Sequence, residues 1–287
     1  MNLTLNVGAR KGEFHPVDSV ATSVDVCDVV EVVARTDSQV HVSGVSQVEE
    51  THNTAYSAAH AFVEAFSTPG VDVFLQKGIP FGAGLGGSSA DAAAVLQCMC
   101  KLFGVDADCE KVHELCAKLG SDVSFMLRGG LGRLLGKGDD VEYFSLKQPI
   151  YFALTTFTQE MNSREVYAAF DTVAAHCGNG ASQRPFEDVR NAELLTLLEH
   201  GNVKQALDYL CNDLQQAAAA LSNYADAYLK FVNTQHWRAV MTGSGSAYYV
   251  AFATRAEAQK AVDLLNSNSF TTILCQTVPH GVEFSTI

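Results

Sequence analysis

The chain has 287 residues, enough for one large domain or two compact ones with a substantial buried core. Acidic residues outnumber basic ones 32 to 19, a formal net charge of −13, which argues against a nucleic-acid or anionic-membrane surface, since both need a basic footprint. The eight cysteines form no CxxC pair and no zinc-like Cys/His spacing; without a signal peptide or an apolar run of membrane length, they read as reduced thiols of a cytoplasmic protein.

Residues 2–7 alternate Leu3, Leu5 and Val7 with polar neighbours and predict an opening strand, followed by the turn GARKGEFH. The Val-rich stretch 17–33 predicts one or two strands of a sheet, and 40–45 another short one. Residues 52–66 are amphipathic, with Ala55, Ala58, Ala59, Phe62 and Phe66 on one helical face. Val71, Val73 and Leu75 alternate as in a half-buried strand, and an Ala-rich helical run begins near residue 90. A short helix over 110–119 ends at Gly120, and GSDVSFML leads into a β-hairpin region, GGLGRLLGKGDDVEYF. Further on come a strand at 149–157, a helix at 163–175, a polar loop HCGNGASQRP, helices at 193–199, 203–210 and 224–233, a glycine turn within 238–252, a helix at 256–266 and a final strand at 271–278. Strand runs mixed with helix runs, without strict βαβ alternation, favour an α+β fold.

The most informative stretch is PFGAGLGGSSA, residues Pro80, Phe81, Gly82, Ala83, Gly84, Leu85, Gly86, Gly87, Ser88, Ser89 and Ala90. Four glycines lie between a strand and a helix, with Ser88 and Ser89 where a helix N-cap belongs. Glycine permits positive φ and close approach of a ligand, while the helix N-terminus offers free N–H groups and a partial positive charge, so the stretch predicts a phosphate cradle. It is neither a Walker A loop, since no Lys-Ser or Lys-Thr pair follows, nor a dinucleotide fingerprint. A turn that merely packs a helix on a sheet is the competing reading. Asp91, in the first turns of that helix, reads as a cap or, alternatively, as a metal partner.

Pro-x-x-x-Gly-Leu-Gly-Gly-Ser-Ser resembles the phosphate loop of the GHMP kinases. Within them, GARKGEFHPVDSV, LGSDVSFML, MNSREVYAAFD, CNDLQQAA and MTGSGSAYYVAF are similar, in order, to motifs of the 4-diphosphocytidyl-2-C-methyl-D-erythritol kinases of non-mevalonate isoprenoid synthesis. The resemblance implies a two-domain GHMP kinase fold: a ribosomal-protein-S5-like ATP domain over about residues 1–150 and a substrate-side domain over 151–287, whose last strand returns to the first. It implies transfer of the γ-phosphoryl group of ATP, with Mg²⁺, to a hydroxyl of the cytidyl-linked sugar alcohol, by a monomer or homodimer. Asp122 then matches the catalytic base; 80–90 match the ATP-phosphate loop; Phe14 and His15 match the Tyr-His pair that holds cytosine. Asn2, Ser163 and Tyr167 match further substrate contacts. No metal ligand is assigned.

Three departures stand out. Met1 occupies the Ile/Leu position of the family's Ala-Lys-(Ile/Leu)-Asn-Leu opening, so the Lys partner of the base has no counterpart, through a late start or a true loss. Gly12-Glu13 replaces Asp-Gly before the base-holding pair, and Ser57 replaces a basic residue. Kinases of another small alcohol, such as homoserine or mevalonate, and a catalytically silent nucleotide-binding relative are the alternatives.

Overall fold

The computed structural model describes residues 1–45, 49–159, 161–176 and 189–285; most of the polar loop HCGNGASQRP, with Cys177, lies outside them. In chain order the elements are β1 (Thr4–Val7), β2 (Val17–Val24), β3 (Val29–Ala34), β4 (Val40–Ser43), α1 (Thr54–Phe66), β5 (Val71–Gln76), α2 (Gly87–Phe103), α3 (Glu110–Leu119), α4 (Ser121–Arg128), β6 (Leu131–Gly136) and β7 (Asp140–Phe144). They continue with β8 (Tyr151–Thr156), α5 (Ser163–His176), α6 (Val189–Glu199), α7 (Val203–Ala206), β9 (Cys211–Asn212), α8 (Gln215–Ala220), α9 (Asn223–Thr234), β10 (Ala239–Met241), β11 (Tyr248–Phe252), α10 (Arg255–Ser267) and β12 (Thr271–Val278). Among the described residues no helix is long and apolar enough to cross a membrane.

The chain divides into two compact units, neither continuous in sequence. The first comprises Met1–Asp25, Pro80–Leu85 and Gly130–Pro279; the second comprises Val26–Ile79, Gly86–Gly129 and His280–Ile287. The N-terminal strands pair with each other and also with segments far along the chain, β1 with β9 and β2 with β6 and β12. The Val-rich stretch 17–33 is likewise shared out: β2 joins one sheet and β3 another.

In the first unit a nine-stranded sheet runs β10-β11-β8-β12-β2-β1-β9, with β6 and β7 branching from β2. β12 is the hinge of this order, since it pairs antiparallel with β8 over Thr271–Gln276 and with β2 through Thr277 and Val278. β8 (YFALTT) is an almost continuous apolar run because strands flank it on both sides and its middle is fully buried. Its neighbours in the core include Val166 and Phe170 of α5, Tyr228 of α9, Tyr248 of β11 and Leu265 of α10. A buried bidentate pair, Arg133 Nε and Nη2 donating to Asp18 Oδ1 (2.9 Å) and Oδ2 (2.7 Å), joins β6 to β2, and Asn191 Nδ2 donates to the same Oδ1 at 2.8 Å.

In the second unit β3-β5-β4 form a small sheet, β3 antiparallel and β4 parallel to β5. The inward residues of β5, Val71, Val73 and Leu75, are buried against α1 and α2, as their alternation requires. α1 starts at Asn53, whose side chain accepts from Ala55 N–H, and it buries the stripe Ala55, Ala58, Ala59 and Phe62. The Ala-rich face of α2 lets it lie close to α1, with Ala92, Ala93, Leu96 and Met99 in the same core. α4 is absent from the sequence reading. Val123, Phe125 and Leu127 alternate as in a strand, but Val123 and Leu127 are also four apart and pack into the helical core.

Candidate active site

Each unit carries its own set of the residues singled out above. In the second unit the set gathers at the N-terminus of α2. The N-cap is Gly86 at φ 71°, and no side chain caps the helix, so Ser88 and Ser89 lie inside its first turn and not at the cap. The helix is seventeen residues long and its first N–H groups and dipole end are therefore available to an anion. Gly86 is fixed by crowding as well as by φ: a Cβ there would stand 2.7 Å from Met126 Cε. The same point lies 3.9 Å from Asp122 Oδ2. Asp122 belongs to the first turn of α4, where a carboxylate suits the helix dipole. It remains accessible to solvent, while the protein mass around it pushes its pKa up from the usual carboxylate value. An accessible carboxyl with a raised pKa, beside an anion-binding helix end, is suited to accept a proton near a phosphate.

Asp91 does not cap α2, whose N-cap is Gly86. It is buried in α2 and its Oδ2 accepts from Lys77 Nζ at 2.6 Å, while Lys77 also binds Asp28 Oδ2. Desolvation raises the Asp91 pKa to about 7 against the opposing pull of Lys77. Among the described residues no group of three or more His, Cys, Asp or Glu gathers to hold a metal.

In the first unit the loop Pro80–Leu85 lies against the turn Thr242–Ala247. Ser246 N–H donates to Gly82 O at 3.4 Å and Ala247 N–H to Ala83 O at 3.1 Å. A Cβ on Gly84 (φ 71°) would meet Gly245 O at 2.5 Å and Thr242 O at 2.7 Å, so only glycine allows this backbone-on-backbone crossing. Ser246 Oγ is buried with no partner among the described residues, a donor left over beside the loop. Asn2, expected to contact substrate, is occupied in holding this turn: its Oδ1 accepts from Gly243 N–H (3.1 Å), and its Nδ2 donates to Ser19 Oγ (2.7 Å). Asn212, of the CNDLQQAA motif, does similar work, donating from Nδ2 to Met241 O and Gly243 O at 2.7 and 2.8 Å. Ser163 Oγ is 2.6 Å from Ser244 Oγ, which places it on the same turn.

The aromatic residues gather separately within that unit. His15 stacks on Tyr167 (ring centroids 5.4 Å apart, planes 27° apart) with Phe170 edge-on at 6.0 Å. Phe14 is 37% exposed, with Lys137 Nζ 4.9 Å from its ring centroid. A carbonyl can only accept, so His15 Nδ1 donates to Gly8 O at 3.0 Å, and Nε2 faces Asp171 Oδ1 at 3.3 Å. Asp171, also 3.6 Å from Arg10 Nη1, was missed in the sequence because nothing there distinguishes it from any helical carboxylate. The arrangement offers an exposed ring for stacking and polar groups at its edge, as a heterocyclic base requires.

The GHMP kinases N terminal domain family matches residues 53–130, the span that contains both the glycine loop and Asp122. Fold and loop define a small-molecule kinase of the GHMP class. A 4-diphosphocytidyl-2-C-methyl-D-erythritol kinase of Caldicellulosiruptor saccharolyticus is 30% identical over 272 residues, covering 92% of this chain and 90% of the relative. One from Desulfitobacterium hafniense is 30% identical over 286 residues, covering 98% and 94%. A crystal structure of 4-(cytidine 5'-diphospho)-2C-methyl-D-erythritol kinase aligns with a TM-score of 0.77 at 25% identity over 96% of both chains. A homoserine kinase from Cytophaga hutchinsonii, at 15% identity and TM-score 0.67, shares the fold. The chain belongs to the 4-diphosphocytidyl-2-C-methyl-D-erythritol kinase family, and with it to the phosphotransferases that act on an alcohol.

Proposed function

We propose that the chain transfers the γ-phosphoryl group of ATP to a hydroxyl of 4-diphosphocytidyl-2-C-methyl-D-erythritol. The observation that carries the reading is Asp122, whose carboxylate lies beside the uncapped N-terminus of α2 at Gly86. The helix end and the glycine backbone at 80–90 bind the ATP phosphates. Ser246 Oγ, without a partner among the described residues, is a further donor beside the loop residues Gly82 and Ala83. Asp122 accepts the proton of the attacking hydroxyl, so that oxygen forms its bond to the γ-phosphorus as the bond to the β-phosphate oxygen breaks. Phe14 and Tyr167 hold the cytosine ring and His15 contacts its edge; Asn2 and Ser163 act on the substrate through the turn they support.

Mg²⁺ is part of this reading, and the hard oxygen donors here fit it: the exposed hydroxyl of Ser88 would share with the ATP oxygens a cation that keeps most of its water. It would neutralise charge developing between the β- and γ-phosphates. With a net charge of −13, we assign the chain neither a nucleic-acid nor a membrane partner, and place it in the cytoplasm as a monomer or homodimer.

The test is ATP consumption with the cytidyl-linked acceptor, beside Asp122→Asn. We expect turnover by the native chain and a loss of about 10²–10⁴-fold in kcat in the variant, the usual contribution of a positioned base. Turnover of homoserine or mevalonate instead would reassign the acceptor, and ATP binding without turnover of any acceptor would mark a silent relative.

A further inference from the structure

We propose that Lys77, Asp28 and Asp91 are positioning residues for ATP: a buried ionic clamp that fixes the two ends of the phosphate loop and sets its affinity for the nucleotide. This rests on the reading of residues 80–90 as the ATP loop.

The three side chains come from three separate places in the second unit. Lys77 follows the end of β5, Asp28 precedes β3, and Asp91 lies one turn inside α2. Their side chains are 14%, 3% and 5% exposed. Burying three ionisable groups is costly before they pair, so a stretch whose only task was to pack α2 on β5 would do better with apolar residues. What the ionic group gains is connection. Asp28 Oδ1 accepts from Gly78 N–H (2.7 Å) and Ile79 N–H (2.8 Å), the last two residues before the loop. Asp28 Oδ2 accepts from Lys77, and Lys77 donates to Asp91 on the far side of the loop. Lys77 Nζ also stands 3.7 Å from where a Cβ on Gly87 would be, next to the helix end that receives the phosphates. One network thus ties Gly78 and Ile79, which lead into the loop, to α2, the helix that follows it. A loop that is already ordered loses less conformational freedom when the nucleotide binds, and the difference appears as affinity.

The clamp also joins ATP binding to a proton. Asp91 Oδ1 is buried and lacks a partner among the described residues. With a proton on Asp91, the charges of Lys77 and Asp28 cancel; without it, the trio is a net anion beside the phosphate-binding helix end, where Asp122 already contributes a carboxyl. Desolvation pushes the Asp91 pKa up to about 7, so this change of charge falls in the neutral range. The protonated clamp is the form that favours a polyanion.

The experiment is direct titration of the whole chain with ATP between pH 6 and 8.5, for the native protein and for Lys77→Gln, Asp28→Asn and Asp91→Asn, with KM for the acceptor measured alongside. We expect Lys77→Gln and Asp28→Asn to weaken ATP by about tenfold or more while the acceptor KM stays within about twofold. Native affinity should fall several-fold as pH rises through about 7, and Asp91→Asn, a permanent neutral mimic, should be nearly flat. ATP affinity unchanged in Lys77→Gln and Asp28→Asn, or a native pH profile in Asp91→Asn, overturns the clamp. Should Lys77→Gln fail to fold, the Asp91→Asn profile decides alone. A native chain that binds no ATP overturns the clamp together with the kinase reading; a native chain that binds ATP with unaltered variants overturns the clamp only.

Discussion

In the proposed function, the helix end in the second unit and the aromatic cluster in the first recognise their ligands by opposite means. At α2 the ligand-facing groups are backbone N–H groups and a dipole, and the side chains nearby are either absent, as at Gly86 and Gly87, or buried in an ionic network behind them. At His15 the recognition elements are themselves side chains, gathered from the turn before β2 and from α5. A backbone site depends on local chain geometry, so it tolerates little change in shape; a side-chain site depends on which rings meet, and tolerates graded change. Substitutions should therefore act steeply on the first type of site and gradually on the second.

The steepest test within the glycine loop is Gly84→Ala. The new Cβ would be forced against Gly245 O at 2.5 Å, and a residue with a side chain at φ 71° carries its own strain. Neither backbone partner can retreat as a flexible side chain could, and we expect a loss on the order of 2–4 kcal/mol shared between stability and ATP affinity. Thermal melting with and without ATP would separate the two; an unchanged melting point and unchanged ATP affinity would show that the loop does not need this close crossing.

Tyr167→Ala should have a smaller and more selective effect. Removing the ring stacked on His15 is expected to raise the acceptor KM by up to about tenfold and leave the ATP KM within about twofold, since a ring contact contributes about 0.5–1.5 kcal/mol. Equal changes in both constants would mean that the aromatic cluster supports the fold and reads no base.

The smallest effect at neutral pH concerns Asp122 itself. Desolvation by the surrounding protein holds its pKa above the ordinary carboxylate value, and a base works only when deprotonated. Activity should thus be fully present on the alkaline side and be lost as pH falls through that raised pKa, at a higher pH than an unperturbed carboxyl of about 3.9 would give. The residual activity of Asp122→Asn should lack this acid limb. A limb that survives in the variant belongs to another group.

Much of the phosphate end was legible because its determinants are local. Alternation at Val71, Val73 and Leu75, glycines at fixed places and an alanine-rich helix each act over a few residues, and the motif order across the chain carried the family resemblance. The exact cap was not, since whether Gly86 or a serine ends the loop depends on where Met126 and Asp122 lie. Helix α4 escaped for a related reason: Val123 and Leu127 fit both a strand alternation with Phe125 and a helical i, i+4 spacing, and only the core into which the two pack selects the helix. Phe14, His15 and Tyr167, proposed to hold the cytosine, could be named from motifs, yet Asp171 could not, because it stands out only by facing His15 across some 150 positions of sequence.

By itself, then, the sequence determined the α+β class, most of the helices and strands, and the glycine loop between β5 and α2, all properties governed by short-range sterics and hydrophobic period. Tertiary structure alone decided that β12 closes the sheet between β8 and β2, that Asn2 and Asn212 brace the Thr242–Ala247 turn, and that Lys77 meets Asp28 and Asp91. Those are contacts between distant residues whose partners are chosen by packing and by the need to pair every buried charge, and no local pattern in the chain encodes them.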